Sequence, residues 1–539
     1  MIALFCTLFL PLLGSAIVLL LSRQNTKLIK YFSFAISVIT FICSLFIFFN
    51  FDKSNPNIQF YYQAIWIPSI DAGFRVGIDG LSMLLVMLTV FISPITIAAS
   101  FSAIREREKE YYFMILLLEF AMIGVFISLD LFLFYIFWEL ILIPMYFIIG
   151  IWGSKNRIYA AVKFFIFTMF GSLLMLIALI YMGNYVGTQI LKTGFTTNYL
   201  AIRQVSNLIP QNIQNWLFWG FAISFFIKVP LFPLHTWLPD AHTEAPTPGS
   251  VVLAGVLLKM GTYGLIRYNL DLFPTSSIQF GPLISWFAVI GIVYGALVSI
   301  VQTDVKRLVA FSSVSHMGFI VLGIFSITAI GLQGAIIQMV NHGLSTGMLF
   351  LMVGMLYERR HTREISEYGG IARVVPALST FFAIAMFASV GLPGLNGFVG
   401  EYMTLLGAFT SPFLNSWAYT IVGAFGIIFA AVYLLWMFQR VFYGTNDNPA
   451  NAHLKDLTKR EWAMLVPIVI FIVWIGVHPK TFLNVSESST KALVNKIETV
   501  KFGKGSSPQM QAGQLLNTQP KVLQQQINQN NLLNKGTNK

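Results

Sequence analysis

The sequence predicts an all-α polytopic membrane protein of about fourteen transmembrane helices, containing two inverted five-helix repeats with broken helices. Three observations predict it. The 539 residues are 56% hydrophobic and only 10% charged, where a soluble globular domain is roughly a quarter charged. Apolar runs near the length that crosses the hydrocarbon core as a helix recur from Met1 to about Phe482. Two of these runs, "IKVPLFPLH" and "GLPGLNGFVGE", are broken by proline and glycine and belong to spans with a central charge.

Taken in order, the spans lie near residues 2–22, 31–50, 80–102, 112–129, 131–151, 159–183 and 213–233. They continue near 250–269, 281–300, 308–327, 330–356, 376–408, 417–438 and 462–482. Helices are expected because lipid satisfies no backbone group, and the alternation of a barrel strand is absent. The first run lacks a basic leader and a convincing cleavage site, so it reads as a retained span. The interrupted spans 7 and 12 are five apart. An odd offset inverts one unit relative to the membrane, so residues of about 112–269 and 281–438 are expected to be inverted repeats. The transmembrane domain is expected to occupy 1–483. From Asn484 the chain turns Gln/Asn-rich, and 484–539 is expected to be a flexible tail.

Lysine and arginine set the orientation. Arg23, Lys27 and Lys30 follow span 1; Arg105, Arg107 and Lys109 follow span 3; Lys155 and Arg157 follow span 5. Lys306 and Arg307, then Arg359, Arg360, Arg363 and Arg373, then Arg440, Lys455, Lys459 and Arg460 follow spans 9, 11 and 13. The alternate loops are nearly bare. The basic loops are therefore expected in the cytoplasm or its equivalent, with both termini outside; the membrane expected is the bacterial inner one. Much of the net charge of +12 is this topological signal, and no basic domain for nucleic acid is visible. The two cysteines, Cys6 and Cys43, cannot build a Cys-rich zinc or iron–sulfur site. No Gly-rich nucleotide loop follows a strand. Any electron transfer is expected in other chains.

Ionisable groups inside spans are costly, and they point to function. Glu139 in "FYIFWELILIP" lies nine residues past Asp130, about 14 Å deep at 1.5 Å per residue. Lys228 and Lys259 flank the loop "HTWLPDAHTEAPTPGS", seven positions before His235 and nine after Ser250. Two antiparallel helices joined there hold both ammonium groups at one depth. His316 in "SSVSHMGF", His342 in "VNHGLSTG" and Glu401 in "GFVGEYMTLLG" also fall well inside their spans. Singly, each has a packing explanation; six at one level suggest a lateral path for protons. Glu119 and Lys163 lie nearer span ends or lack a matching partner and read as structural. The helix breaks make room for water around a lysine, and lysine, unlike arginine, releases its proton when desolvated.

The stretches "FYIFWELILIPMYFIIGIWG", "FIKVPLFPLHTWLPDAHTEAPTPGSVVLAGVLLKMGTYGLIR", "DVKRLVAFSSVSHMGFI", "QMVNHGLSTGMLF" and "GLPGLNGFVGEYM" resemble the antiporter-like membrane subunits of respiratory complex I. The resemblance covers about residues 1–482. It implies an ion pair of Glu139 with Lys228, a central relay at Lys259, assistance from His235, His316 and His342, and a terminal acid at Glu401. Glutamate at 401, where the largest such subunit has lysine, and the lack of a long lateral helix favour the branch of NADH:quinone oxidoreductase that carries an acid there. The resemblance further implies no cofactor in this chain, with flavin, iron–sulfur clusters and quinone in partner subunits. The expected partners are the other membrane subunits, including neighbouring antiporter-like ones, in the lipid bilayer. A subunit of a multisubunit Na+/H+ antiporter or membrane-bound hydrogenase is the alternative within the superfamily. A structural scaffold fits the six aligned charges less well.

Overall fold

The computed structural model describes residues 1–503. Twelve of its helices are long and apolar enough to cross a membrane, from Ile2–Leu20 to Lys459–Val477. The other two expected spans are the interrupted ones. The first is the helix Gln211–Lys228, a connection through Thr236, and a short helix Trp237–Glu244. The second is the pair Pro376–Val390 and Asn396–Phe409. The stretch expected as a loop between Lys228 and Lys259 is thus largely helical and buried. Apolar neighbours on all sides leave its backbone no other way to satisfy its polar groups.

Helix starts follow the local sequence. Asp130 accepts from the backbone N–H of Phe132 and Leu133, Asp304 from Arg307, and Thr328 from Gly331. Thr458 and Glu461 form a reciprocal capping box. At the basic end, acids within the same loops and helix starts neutralise the cations. Lys30 pairs with Glu108 at 2.8 Å, Arg359 with Glu461 at 2.8 Å and Arg363 with Asp304 at 3.1 Å.

The most apolar stretches of the spans Thr247–Leu270, Val305–Phe325 and Ala329–Arg360 are buried throughout within the chain, whereas those of Thr26–Phe49 and Lys459–Val477 are mostly open. The three buried spans carry Lys259, His316 and His342. The core of the bundle is therefore where the polar residues lie, and large apolar side chains such as Ile39, Phe46, Trp436 and Ile470 face outward.

Two features depart from the expected fold. The connection between the second and third spans folds into an antiparallel hairpin, Gln59–Ile67 with Ala72–Ile78, in register Gln63 to Arg75. Buried Arg75 reaches from it to Asp130 at 2.5 Å, and Asp130 also accepts from Gly73 N–H and Thr197 Oγ1. The helix bearing Glu139 is anchored by this junction. The second departure is a correction: the chain from 484 is no flexible tail as far as Phe502. Lys480–Phe502 is a helix that buries Val485, Ser489, Leu493, Val494 and Ile497. Its low overall hydropathy hid an apolar face at helical spacing. The rest of the expected tail, from 504, lies outside the described residues.

Candidate functional site: a buried row of titratable groups

The site begins where the first broken span ends. Lys228 is the last residue of its helix and is fully buried. Its Nζ has no hydrogen-bond partner among the described residues and sits 4.7 Å from the centre of the Trp138 ring. Glu139, the next residue, is half-buried close to the end of Leu131–Leu140, near Tyr135 and Ser172. Lys228 and Glu139 act on each other through their charges, yet neither Lys228 Nζ nor Glu139 Oε1 has a hydrogen-bond partner among the described residues. The expected ion pair is thus an opposed pair of charges rather than a contact pair. Trp138 supplies a cation–π surface that holds the ammonium without taking its proton.

Lys259 lies in the next span, Thr247–Leu270. Gly261 packs against the broken helix so closely that a Cβ there would stand 2.8 Å from Phe225 O and 3.0 Å from Val229 N. The span around Lys259 is unusual. A short α-helical stretch, Leu258–Gly264, is flanked by π-helical turns at Leu253–Leu257 and Leu265–Leu270. π turns appear mostly as single turns at functional sites. Lys259 Nζ donates to Ala254 O and lies 2.6 Å from His342 Nδ1.

From there the row continues through two further positions, a histidine and a carboxylate. The rings of His342 and His316 are 5.7 Å apart, and His316 Nδ1 is 3.0 Å from Glu401 Oε1. Gln338 donates to the same carboxylate oxygen at 3.2 Å. His342 Nε2 and His316 Nε2 have no hydrogen-bond partner among the described residues. The second broken helix is stitched to the His342 helix by Asn341, which donates to Asn396 O at 2.7 Å. Its break passes through Gly391, whose φ of +84 suits glycine. A Cβ at Gly391 would lie 2.9 Å from Glu401 Oε2, so the break leaves space for the carboxylate.

Of the residues expected from sequence, Lys259, His342, His316 and Glu401 stand in contact sequence, and Glu139 and Lys228 face each other. His235 is not joined to that row. It is buried in the first break between Phe232 and Tyr294, with ring centres 5.7 and 5.0 Å away. Lys163 pairs with Asp240 at 2.7 Å, and Glu119 is buried near Ser93.

Sequence reasoning missed His242 and Lys306. His242 is fully buried, stacks on Phe350 with ring centres 4.6 Å apart, and has no hydrogen-bond partner for either ring nitrogen among the described residues. The charges of Lys306 and Lys259 reach it. Lys306 donates to Ala245 O and, at 3.4 Å, to Thr243 O. It lines a cavity of about 290 Å³ at the basic end, together with Ser102, Arg105, Glu358, His361 and Arg363. The signal was there in "DAHTEAPTP": a histidine seven residues past His235 returns to the same region once the segment is a helix. Among the described residues, no group of three or more His, Cys, Asp and Glu is placed to hold a metal ion.

Residues 128–430 match the transmembrane family of NADH:quinone oxidoreductase and Mrp antiporters, and residues 5–125 match the amino terminus of NADH-ubiquinone oxidoreductase chain 4. NADH-quinone oxidoreductase subunit M of Rickettsia conorii is 45% identical over 495 residues, 91% of this chain and 98% of the relative. The subunit M of Rhodobacter capsulatus is 42% identical over 494 residues, covering 90% of this chain and 95% of its own. A chain of respiratory complex I from Thermus thermophilus superposes with a TM-score of 0.82 at 30% identity, over 92% of this chain and 99% of that one. An Mrp complex chain from Dietzia shares the fold at 19% identity, with a TM-score of 0.78 over 93% of this chain and 99% of its own. Its likeness is one of architecture. This chain, with its acid at 401 and its two broken helices, belongs to the subunit M, or chain 4, family of NADH:quinone oxidoreductase.

Proposed function

We propose that this chain is a proton-translocating membrane-arm subunit of NADH:quinone oxidoreductase, and that Glu139, Lys228, Lys259, His342, His316 and Glu401 carry the proton sideways through it. The observation that carries the reading is the run from Lys259 to Glu401. Four titratable side chains, all buried, lie in sequence with polar contacts of 2.6 and 3.0 Å at its ends. Burial of that many ionisable groups is costly unless they are neutral or paired, and such groups inside spans mark ion pathways.

The chemistry follows from the residue types. When the charge of Glu139 is close, it holds the proton on Lys228; when it is withdrawn or neutralised, the buried ammonium releases it. Lys259, which faces a histidine rather than an acid, has no carboxylate to hold its charge. A proton arriving there passes to His342, then to His316, and rests at Glu401. The step between Lys228 and Lys259, which no hydrogen bond bridges, runs through water admitted by the break at 229–236. His242 and Lys306 link the cavity at the basic end to Lys259, and we assign that route to proton uptake from the cytoplasm. His235 lines the break and assists there. The two broken spans are counterparts in inverted repeats over about 112–269 and 281–438. The chain acts as a translocase without a redox centre, and the flavin, iron–sulfur clusters and quinone belong to partner subunits.

The test compares Lys259→Ala with Lys259→Arg in the assembled complex, reading proton uptake per NADH oxidised in inverted vesicles at matched complex content. Both variants are expected to lose pumping, because guanidinium keeps its proton. If arginine pumps as lysine does, Lys259 carries charge but not protons, and the relay is wrong at its centre.

A further inference from the structure

We propose that the C-terminal helix Lys480–Phe502 positions Lys259 for its exchange with His342, by gripping the far end of the Lys259 span at two separate points. The proposal rests on the relay reading of Lys259.

A π turn holds one more residue than an α turn, so it rotates what lies beyond it about the helix axis. With a π turn on each side of Leu258–Gly264, the direction of Lys259 depends on how the ends of the span are fixed. At the hairpin end two residues fix it, Arg267 and Asp271.

Arg267 donates through both terminal nitrogens to Asp79, at 2.7 and 2.6 Å, and through Nε to Tyr263 Oη at 3.0 Å. Tyr263 in turn donates to Phe126 O at 3.0 Å. A two-point guanidinium–carboxylate bond sets orientation as well as distance. Asp79 is itself held in a turn, accepting from the N–H groups of Leu81 and Ser82. The C-terminal helix lands on that turn. Gly80 N–H donates to Ser489 Oγ at 3.1 Å, and a Cβ on Gly80 would be 2.5 Å from Val485 O.

The second grip lies further along the same helix. Lys496 donates to Asp271 Oδ1 at 2.9 Å and to Asp271 O at 2.6 Å. Arg203, at 2.7 Å, and Tyr199 hold the other carboxylate oxygen. Ser489 and Lys496 are seven residues apart, about two helical turns, so one face reaches both points. Asp271 directly follows the π turn, and Arg267 sits within it. Loosening either grip frees the turn that sets the azimuth of Lys259, eight residues away.

The test uses the assembled complex carrying Lys496→Gln with Ser489→Ala. Asp271 keeps Arg203 and Tyr199 as partners, so assembly is expected. Two readouts are taken: proton uptake per NADH oxidised at matched complex content, and backbone hydrogen exchange over residues 253–271. The expected result is a loss of protons pumped per NADH together with faster exchange across 265–271. Lys496→Arg in the Ser489→Ala background should restore both in part, because a cation again reaches Asp271 while the Gly80 contact stays lost. Arg267→Lys, which keeps the charge but not the fork, should show the same loss of pumping. Wild-type exchange and pumping in the double variant would overturn the proposal. Lys259→Ala runs alongside. If that variant pumps normally, the relay reading is at fault, and hydrogen exchange still decides whether the helix grips the span.

Discussion

Glu139 and Asp130 are nine residues apart on one helix, and substitution should separate their roles. Glu139→Gln keeps the size of the side chain but removes the charge that faces Lys228. The complex should assemble and lose redox-driven pumping, measured as proton uptake in inverted vesicles; near-normal uptake would sink the pairing. Asp130→Ala should instead lower the amount of assembled complex. It takes from buried Arg75 its buried carboxylate partner and leaves only Asp71, whose side chain is about a third exposed; breaking a buried pair costs about 3–5 kcal/mol. The quantity to read is complex content on a native gel, and normal content would refute the anchoring role. Both acids were visible in the sequence, but only Glu139 stood out, because its depth was countable. Asp130 read as a span end, since nothing local says that an arginine 55 residues earlier in the chain will fold onto it. His242 was missed for a related reason: it sits in a segment read as a loop, where a histidine attracts no notice.

At the scale of the element, the two breaks and the C-terminal helix carry the expectations. Gly391→Ala puts a Cβ into left-handed backbone, at a cost of about 1–2 kcal/mol, and places that Cβ against Glu401. Gly444, with φ of +93 and nothing within 4 Å of an added Cβ, is the matched control. Gly391→Ala should lower both thermal stability and pumping, and Gly444→Ala stability alone; equal pumping in the two would deny the break a part in proton transfer. The grip on Asp271 has a pH dependence whose sign is fixed. Burial raises this carboxyl, but Lys496 and Arg203 more than offset it and hold it below the usual aspartate value. Such a group contributes stability above the unfolded value of about 3.9, and the contribution is lost as pH falls through the lower folded value. Proteolytic cleavage within 480–502 should therefore stay constant between about pH 7 and 5, and a rise in that window would place control with another group.

Across the whole molecule, the chain from 485 onward illustrates what composition conceals. Removing it takes away most of the C-terminal helix and both grips, so less assembled complex and less pumping are expected. Removing residues from 504 onward spares all of these contacts and should leave both unchanged. The comparison is made on the two truncated complexes, and equal behaviour would show that the helix does nothing. The arrangement also explains why the bundle tolerates its polar row. The three spans that carry Lys259, His316 and His342 are buried along their most apolar stretches, so these three groups do not meet lipid tails directly, where a charge would be most costly.

Sequence alone pointed to a membrane protein, to the run of apolar spans, to the two breaks and to six titratable residues within spans. Each of these rests on spacing along one helix or on composition, and lipid punishes exceptions to both. Tertiary structure alone decided which of the six touch. It set Lys259 beside His342 rather than beside Lys228, left His235 apart in the first break, and brought His242 and Lys306 in from two separate segments read as loops. It also paired Arg267 with Asp79, 188 positions earlier, and turned part of a supposed tail into a helix whose Lys496 reaches Asp271 at the end of the Lys259 span. Contacts of that kind depend on rotation about helix axes and on packing between distant segments. No local period in the chain records either.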